Sequence, residues 1–325
     1  MDNLTTDGVL RPVDWDDYVG QEKIKINLRI ILDAAKKRGE ACDHLLFYGQ
    51  AGLGKTTLAN LVAKDLGFNL KVTSGPALEK MGDLAAVLSN LEENDVLFID
   101  EAHRLNKSIE EVLYPAMESR KLHLVIGKGP GARTVALDLP SFTIIAATTR
   151  PHLLSGPLRS RFGASFKLDF YDLKDICRIV KRSAQVLNMN MSDEAVEVLA
   201  RSSRSTPRVA NRLLKRVRDF ADVHDIKQVD KATALNTLNL LEIDNMGLEP
   251  MDRRLLEVII DRFDGGPVGI NSLAAALNDD VGNIEDVYEP HLLSIGFLVR
   301  TSTGRVVREA AYRHLGREIS EEKLI

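Results

Sequence analysis

Runs of apolar residues and their spacing divide the chain into three unlike stretches. Leu45 to Tyr48 form a short apolar run, a glycine-rich turn follows, and Leu58, Leu61, Val62 and Leu66 then recur at the spacing of one helix face. Val96 to Ile99 and Phe142 to Ala147 are continuous apolar runs, the pattern of strands covered on both faces of a parallel sheet. Helical stretches at Asp83 to Leu91 and Ile109 to Glu118 fall between them, so the first part predicts an α/β sandwich with a mostly parallel sheet, ending near Lys167. From Leu173 to Phe220 the periodicity is almost wholly helical, with start signals at Asp172 and Ser192 and a break at Ser205-Thr206-Pro207. After Asn245-Met246-Gly247 the pattern changes again. Asp252 is placed to cap a helix carrying Leu255, Leu256, Ile259 and Ile260, Asn271 to cap a short one through Leu277, and a third begins near Asn283. Phe297 to Arg300, a turn at Thr303-Gly304 and Arg305 to Val307 complete a helix, helix, helix, hairpin order, that of a winged helix. The predicted division is therefore 1–169 for the sandwich, 170–246 for a small helical domain and 247–325 for the winged helix.

With 325 residues, 44% of them apolar, two or three ordinary cores are expected. The two cysteines, Cys42 and Cys177, are far apart, and none of His44, His103 and His123 has ligand spacing, so neither a disulfide framework nor a zinc site is expected. The opening residues lack a basic-then-apolar signal and no apolar run approaches the roughly 18 residues that span a bilayer, which predicts a cytoplasmic protein off the membrane. A net charge of −4 is no global footprint for nucleic acid, so any DNA contact must be local. Aromatics at 5% argue against a surface built to stack single-stranded bases.

The chemistry concentrates at Gly49-Gln50-Ala51-Gly52-Leu53-Gly54-Lys55-Thr56, a G-x-x-x-x-G-K-[ST] phosphate loop between an apolar strand and an amphipathic helix. Such a loop turns main-chain N–H groups, here from Gly52 to Thr57, onto a triphosphate, and the helix N-terminus adds partial positive charge. Lys55 then reaches the outer phosphates and Thr56 offers its hydroxyl to magnesium. Asp100 and Glu101 close the second buried strand, at the end of a parallel sheet where ligands bind. Asp100 is expected to hold magnesium and Glu101 to orient the attacking water, because phosphoanhydride hydrolysis needs both a metal anchor and a positioned nucleophile. Without the phosphate loop, the same two acids read as a solvated strand end.

The blocks GQAGLGKTTLAN, TSGPALEKMGDLAAVL, DVLFIDEAHRLN, EEVLYPAME, ATTR, PLRSRFG and STPRVANRLLKRVRDF resemble, in order and spacing, the RuvB family of AAA+ ring motors, and the likeness runs from about Arg11 into the winged helix. One departure is visible, Gln50-Ala51 where the family usually has two prolines, which implies a less pre-shaped loop. The resemblance implies an AAA+ P-loop ATPase, acting with ATP and Mg2+ as a homohexamer on duplex DNA without regard to sequence and driving Holliday junction branch migration with RuvA, and indirectly with the resolvase RuvC. It implies that Thr149, with Thr148 as the adjacent alternative, senses the γ-phosphate, and that Arg161 is a finger inserted into a neighbouring subunit's site. Arg208 corresponds to a second sensor that couples nucleotide state to domain angle. Leu10, Arg11, Tyr18, Val19 and Tyr171 match the segments that wrap the base, beside Gly49, Gly52, Leu53, Gly54 and Thr57 of the loop. Each residue has a plainer reading as well: a surface salt bridge for Arg161, an exposed helix start for Arg208, core or hinge packing for the adenine set.

Leu122 to Ile126 and Arg133 to Leu139, joined through Gly127 to Gly131, predict a hairpin with Leu122, Leu124 and Ile126 on one face and Val135, Leu137 and Leu139 pairing with them. A protruding apolar hairpin over 121–139 marks a docking site, for RuvA by resemblance; the alternative is a hairpin folded back on its own sheet. In the last domain the candidate recognition helix carries Glu285, Asp286 and Glu289 and meets Pro290, so acids facing a groove exclude base reading. The positive charge lies on the wing instead, at Arg300 and Arg305, which are expected to contact phosphate, or else serve only as solubilising charges, with Arg308 beyond and Thr303 at a place often basic in relatives. A clamp-loader-like assembly switch and a nucleotide-regulated DNA-binding module are the competing functions. The first is disfavoured by the terminal winged helix, the second by the acidic helix.

Overall fold

The protein, a computed structural model, is described over residues 6–126 and 133–318. It divides into two compact units, one of residues 1–178 with Thr206–Arg208, the other of Ile179–Ser205 with residues from Val209 onward.

The first unit is built on five parallel strands, β1 (Leu45–Tyr48), β2 (Leu70–Ser74), β3 (Val96–Asp100), β6 (Thr143–Thr148) and β7 (Ala164–Lys167), in the order β2-β3-β6-β1-β7. The expected runs become the three inner strands, because only a strand flanked on both sides and covered on both faces can be apolar throughout. All six residues of β6 are buried. It begins one residue later than the apolar run suggests and takes in two threonines, the first bonded from Oγ1 to the Cys42 carbonyl oxygen at 2.7 Å. Helices Lys55–Leu66, Met81–Ser89 and Lys107–Ser119 connect the strands. Asn106 starts the last of these by accepting from the Ile109 amide at 3.0 Å, satisfying a donor the helix cannot. Leu97, Ile99, Ile144 and Ala146 of the sheet pack with Leu84, Leu88, Ile109 and Leu113 of the helices in one buried cluster. Each large side chain there stabilises by about 1.5–3 kcal/mol relative to exposure, and truncating Leu97 to alanine would remove about 2–5 kcal/mol.

The hairpin forms from β4 (Lys121–Ile126) and β5 (Arg133–Asp138), antiparallel, with Leu122 opposite Leu137 and Leu124 opposite Val135. Its base belongs to the sheet's core: Leu122 and Leu139 are buried and Leu124 packs against the same cluster. Val135 and Leu137 remain exposed at 38% and 40%. The connector Gly127 to Gly131 lies outside the described residues, as does the side chain of Ile126.

In the second unit, helices Asp193–Arg201 and Lys231–Leu240 are capped by Ser192 and Asp230, and Pro207–Val223 supplies the long helix, all but its first two residues within this unit. Helices Pro250–Phe263 and Ile270–Leu277, a helical stretch from Val281 to Ser294, strands β8 (Leu298–Arg300) and β9 (Arg305–Val307) and helix Glu309–His314 make the winged helix around Leu255, Leu256, Ile259, Leu273, Ile284 and Leu292. Two expected caps move. Asp252 is the third residue of its helix, accepting from the Glu249 amide at 2.7 Å, and its buried carboxylate takes Nη2 of Arg204 at 2.6 Å. Asn271 lies inside the helix that Gly269 precedes. Among the described residues no helix is long and apolar enough to cross a membrane.

Candidate nucleotide site

The loop between β1 and helix Lys55–Leu66 carries its glycines in left-handed backbone: Gly52 at φ 82° and Gly54 at φ 98°. Gly52 has a second constraint, since a Cβ there would stand 2.9 Å from the Cβ of Arg208. Lys55 is 8% exposed, and its Nζ donates to the carbonyl oxygens of Gly49 and Gln50 at 2.8 Å each. Burial lowers its pKa to about 8, against the opposing pull of the Asp100 carboxylate. The amine is therefore folded over the loop it must serve, held by acceptors weaker than a phosphate oxygen.

Thr56 and Asp100 come together across the sheet, Oγ1 to Oδ2 at 3.4 Å, while Oδ1 of Asp100 accepts the Glu101 amide at 2.8 Å. Two hard oxygens in this arrangement fit magnesium, which keeps several waters and takes its remaining ligands from substrate phosphates. No cluster of three or more His, Cys, Asp or Glu able to hold a metal occurs among the described residues, so a cage made wholly of protein is not what these residues provide. Glu101 turns left-handed at φ 47° and faces outward, its Oε2 taking Nη1 of Arg104 at 3.2 Å. A Cβ on Gly75 would lie 2.4 Å from the Glu101 carbonyl oxygen, which is why the loop after β2 needs a glycine to pass behind the acid.

Strand order brings the sensor candidates between these groups. Tyr48 stands level with Thr148, and the β3–β6 register, carried on two residues from Ile99 opposite Ala146, sets Glu101 level with Thr148 too. Thr148 is buried; its Oγ1 accepts the Arg150 amide at 3.0 Å and lies 3.0 Å from Nδ1 of His103. Thr149 sits half-buried inside that turn, just past the strand. Sequence reasoning passed over His103, weighed only as a metal ligand.

Leu10, Tyr18, Val19 and Tyr171 are buried, whereas Arg11 is exposed. The two tyrosine hydroxyls lie 3.2 Å apart, Tyr171 donates to the Leu53 carbonyl oxygen at 3.2 Å, and Tyr18 is the neighbour a Cβ on Gly54 would meet at 3.0 Å. The adenine set is thus assembled against the phosphate loop. Burial first, then the mutual contact, raises the Tyr18 pKa, and burial raises Tyr171 to about 12, so both are neutral hydrogen-bonding walls. Arg208 donates its amide to the Gly52 carbonyl oxygen at 3.4 Å; its side chain is exposed and makes no hydrogen bond or ion pair among the described residues.

Arg161 is not gathered into this site. Its Nη2 meets Oε2 of Glu118 at 3.1 Å, its Nη1 the Pro157 carbonyl oxygen at 3.2 Å, and the guanidinium carbon stands 5.3 Å from the Tyr114 ring centre. Within one chain it takes the salt-bridging alternative.

The wing departs further from expectation. Arg300 donates from Nε to Oε2 of Glu289 at 2.6 Å and pairs with the same carboxylate through Nη2; Arg305 donates from Nε to Oε1 at 2.8 Å and from Nη2 to Glu285 at 3.0 Å. Glu289 is wholly buried. The acid expected to face a groove instead lies beneath the wing and offsets its charge, so neither arginine presents a free cation. Arg308 is exposed, with no side-chain partner among the described residues, and Thr303 is spent on the turn, 3.0 Å from the Thr301 hydroxyl.

Comparison with known proteins accounts for the chain from end to end. A family model described as the Holliday junction DNA helicase RuvB P-loop domain matches residues 10–168, the RuvB AAA lid domain matches 171–244 and the RuvB C-terminal winged helix domain matches 245–316. Among solved structures, the Thermotoga maritima RuvB Holliday junction branch migration motor is 48% identical over 96% of this chain and 100% of its own, with a TM-score of 0.89. Two single-substitution variants of that protein match at 47% and 48% identity over 96% of this chain and 100% and 99% of theirs, with TM-scores of 0.89 and 0.87.

Proposed function

Since the chain belongs to the RuvB family of Holliday junction branch-migration motors, nucleotide-hydrolysing enzymes with an AAA+ sandwich, lid and winged helix, we propose how its own residues carry out that work. Lys55 leaves the carbonyl oxygens of Gly49 and Gln50 and binds the outer phosphates of ATP, while amides from Gly52 to Thr57 cradle the chain of phosphates. Thr56 and Asp100 hold magnesium, which when bound supplies charge neutralisation at the β- and γ-oxygens. Glu101 orients the attacking water, and Thr149 contacts the γ-phosphate or that water. Leu10, Arg11, Tyr18, Val19 and Tyr171 enclose the base. Arg208 answers the nucleotide from the first turn of its helix. Arg161 exchanges Glu118 for the phosphate of a neighbouring subunit in a homohexameric ring, where its charge stabilises the transition state.

The division at 169 and 246 separates engine, lid and DNA-binding module. The exposed Val135 and Leu137 of the hairpin dock RuvA, which grips the junction, and RuvC is engaged only through the shared junction. Duplex DNA is held through phosphate by Arg300 and Arg305 once Glu289 yields them, without base reading. The work is done in the cytoplasm with ATP and Mg2+. The observation that carries this reading is the meeting of Thr56 and Asp100 beside a buried Lys55 at the carboxyl edge of the sheet. A synthetic four-way junction incubated with this protein, RuvA and ATP tests it: conversion into two duplexes is expected, and persistence of the junction despite ATP turnover would count against it.

A further inference from the structure

The contact between His103 and Thr148 joins two elements whose relative placement decides hydrolysis. We propose that His103 is a positioning residue that ties the turn bearing Glu101 to the turn bearing Thr149, so that water-orienting acid and phosphate sensor move as one piece. This rests on the assignment of Glu101 and Thr149 made above.

The argument starts from where the two turns hang. Asp100 ends β3 and Thr148 ends β6, and past those ends the ladder of main-chain bonds that fixes neighbouring strands is gone. Glu101 lies one residue beyond, in left-handed backbone at φ 47°, and Thr149 one residue beyond on the other side. Chain at such a position is held only by what its side chains can do. The hydroxyl of Thr148 closes the turn around Thr149 by accepting from the Arg150 amide at 3.0 Å, and Nδ1 of His103 sits on the same oxygen at 3.0 Å. His103 belongs to the short helical turn Ala102–Arg104 that starts directly after Glu101. One imidazole thus reaches from the acid's turn into the sensor's turn, across strands 45 residues apart in sequence. Thr148 is 1% exposed, so water cannot replace this partner, and a hydrogen bond inside a protein is stronger than the same bond in solvent. Gly75 supports the acid's side of the bridge, since only a glycine lets the loop after β2 pass within 2.4 Å of where its Cβ would meet the Glu101 carbonyl oxygen.

A residue of this kind touches neither nucleotide nor water. Its loss should leave binding intact and misplace the reacting groups, and misplacement of about 1 Å lowers rate by about a hundredfold. His103→Ala is therefore expected to lower kcat for ATP hydrolysis by about tenfold or more, with KM for ATP and calorimetric ATP affinity within about twofold of the parent. His103→Asn should restore most of the rate, because a carboxamide offers both a donor and an acceptor near the place of Nδ1 and so satisfies the threonine hydroxyl in either sense. Thr148→Val removes the same bond from the other end, so the double variant His103→Ala/Thr148→Val should be no slower than the slower single one.

Glu101→Gln is the control that separates the inference from its premise. If Glu101→Gln abolishes turnover and His103→Ala does not lower kcat, the coupling is refuted while the assignment of the acid stands. If Glu101→Gln itself turns over normally, the assignment falls and the inference with it. Equal losses in His103→Asn and His103→Ala, or multiplying losses in the double variant, would show that the imidazole acts by something other than the bond to Thr148.

Discussion

Replacing Glu289 by glutamine tests the wing directly. The carboxylate is wholly buried and binds Arg300 and Arg305 through separate oxygens, at 2.6 Å and 2.8 Å from their Nε atoms. Glutamine keeps the shape but offers one acceptor oxygen, so one guanidinium loses its counter-charge and faces an N–H. Removing one member of a buried pair costs about 3–5 kcal/mol, and a single charged hydrogen bond about 1.5–3 kcal/mol. The Arg305 side chain is 13% exposed and keeps Glu285, while that of Arg300 is 46% exposed and is partly compensated by water. The lower end is therefore expected, about 3 kcal/mol for the winged helix, roughly a hundredfold in its opening equilibrium. Amide hydrogen exchange reads this locally, because the Arg305 amide donates to the Val268 carbonyl oxygen at 2.8 Å and is freed only by opening. On duplex DNA the same variant should bind more tightly, and its logarithmic salt dependence should steepen by about one for each arginine released to a phosphate. Exchange at Arg305 changed by less than about threefold would refute the energetic reasoning. Unchanged salt dependence would refute the idea that Glu289 restrains the phosphate contacts.

Glu101→Gln should bind ATP with near-parental affinity while turnover falls at least a hundredfold, whereas Lys55→Ala should lose binding itself; calorimetry and phosphate release separate the two. Mixing Arg161→Ala subunits with Lys55→Ala subunits should recover ATPase above either alone, and absence of recovery at every ratio would remove Arg161 from the shared site. Charged substitutions at Val135 and Leu137, which are 38% and 40% exposed, should leave the melting temperature within about 2 °C but abolish co-elution with RuvA. Acid should loosen the winged helix: burial lowers the His291 pKa from 6.5 to about 4, so below about pH 6.5 the unfolded chain takes up a proton that the folded one refuses. Stability present above that pH is expected to fall by about 2 kcal/mol by pH 5, and His291→Gln to flatten the dependence; urea midpoints that do not move between pH 7.5 and pH 5 would contradict it.

What the sequence discloses depends on whether a residue's neighbours are near it in the chain. The phosphate loop and the inner strands β1, β3 and β6 are legible because a buried parallel strand must be apolar along its length and the loop's spacing is local chemistry. Edge strands β2 and β7 escape that logic: Lys71, Val72 and Lys167 face solvent, so the runs LKVTS and ASFK carry no pattern to read. The helix Glu22–Arg38 has its signal in Ile24, Leu28, Leu32 and Ala35, but Gln21 before it lies at φ 54° and offers no capping bond, and no start was marked. Glu289 was misjudged because a π-helical turn at Ile284–Tyr288 adds a residue to the helix, which rotates everything after it and carries the acid from the expected outer face to the inner one. His103 meets Thr148 only because β6 lies beside β3, an adjacency that exists nowhere in the linear order.

That adjacency also acts as a ruler. With β6 lodged between β1 and β3, the phosphate loop and the water-orienting acid hang from strands two steps apart, and adjacent strands stand about 4.8 Å from each other. The gap between them, about 10 Å, is therefore set by two widths of the main-chain ladder and not by any side chain. Substitutions can change what is held in that gap; its breadth is fixed by the weave of the sheet itself.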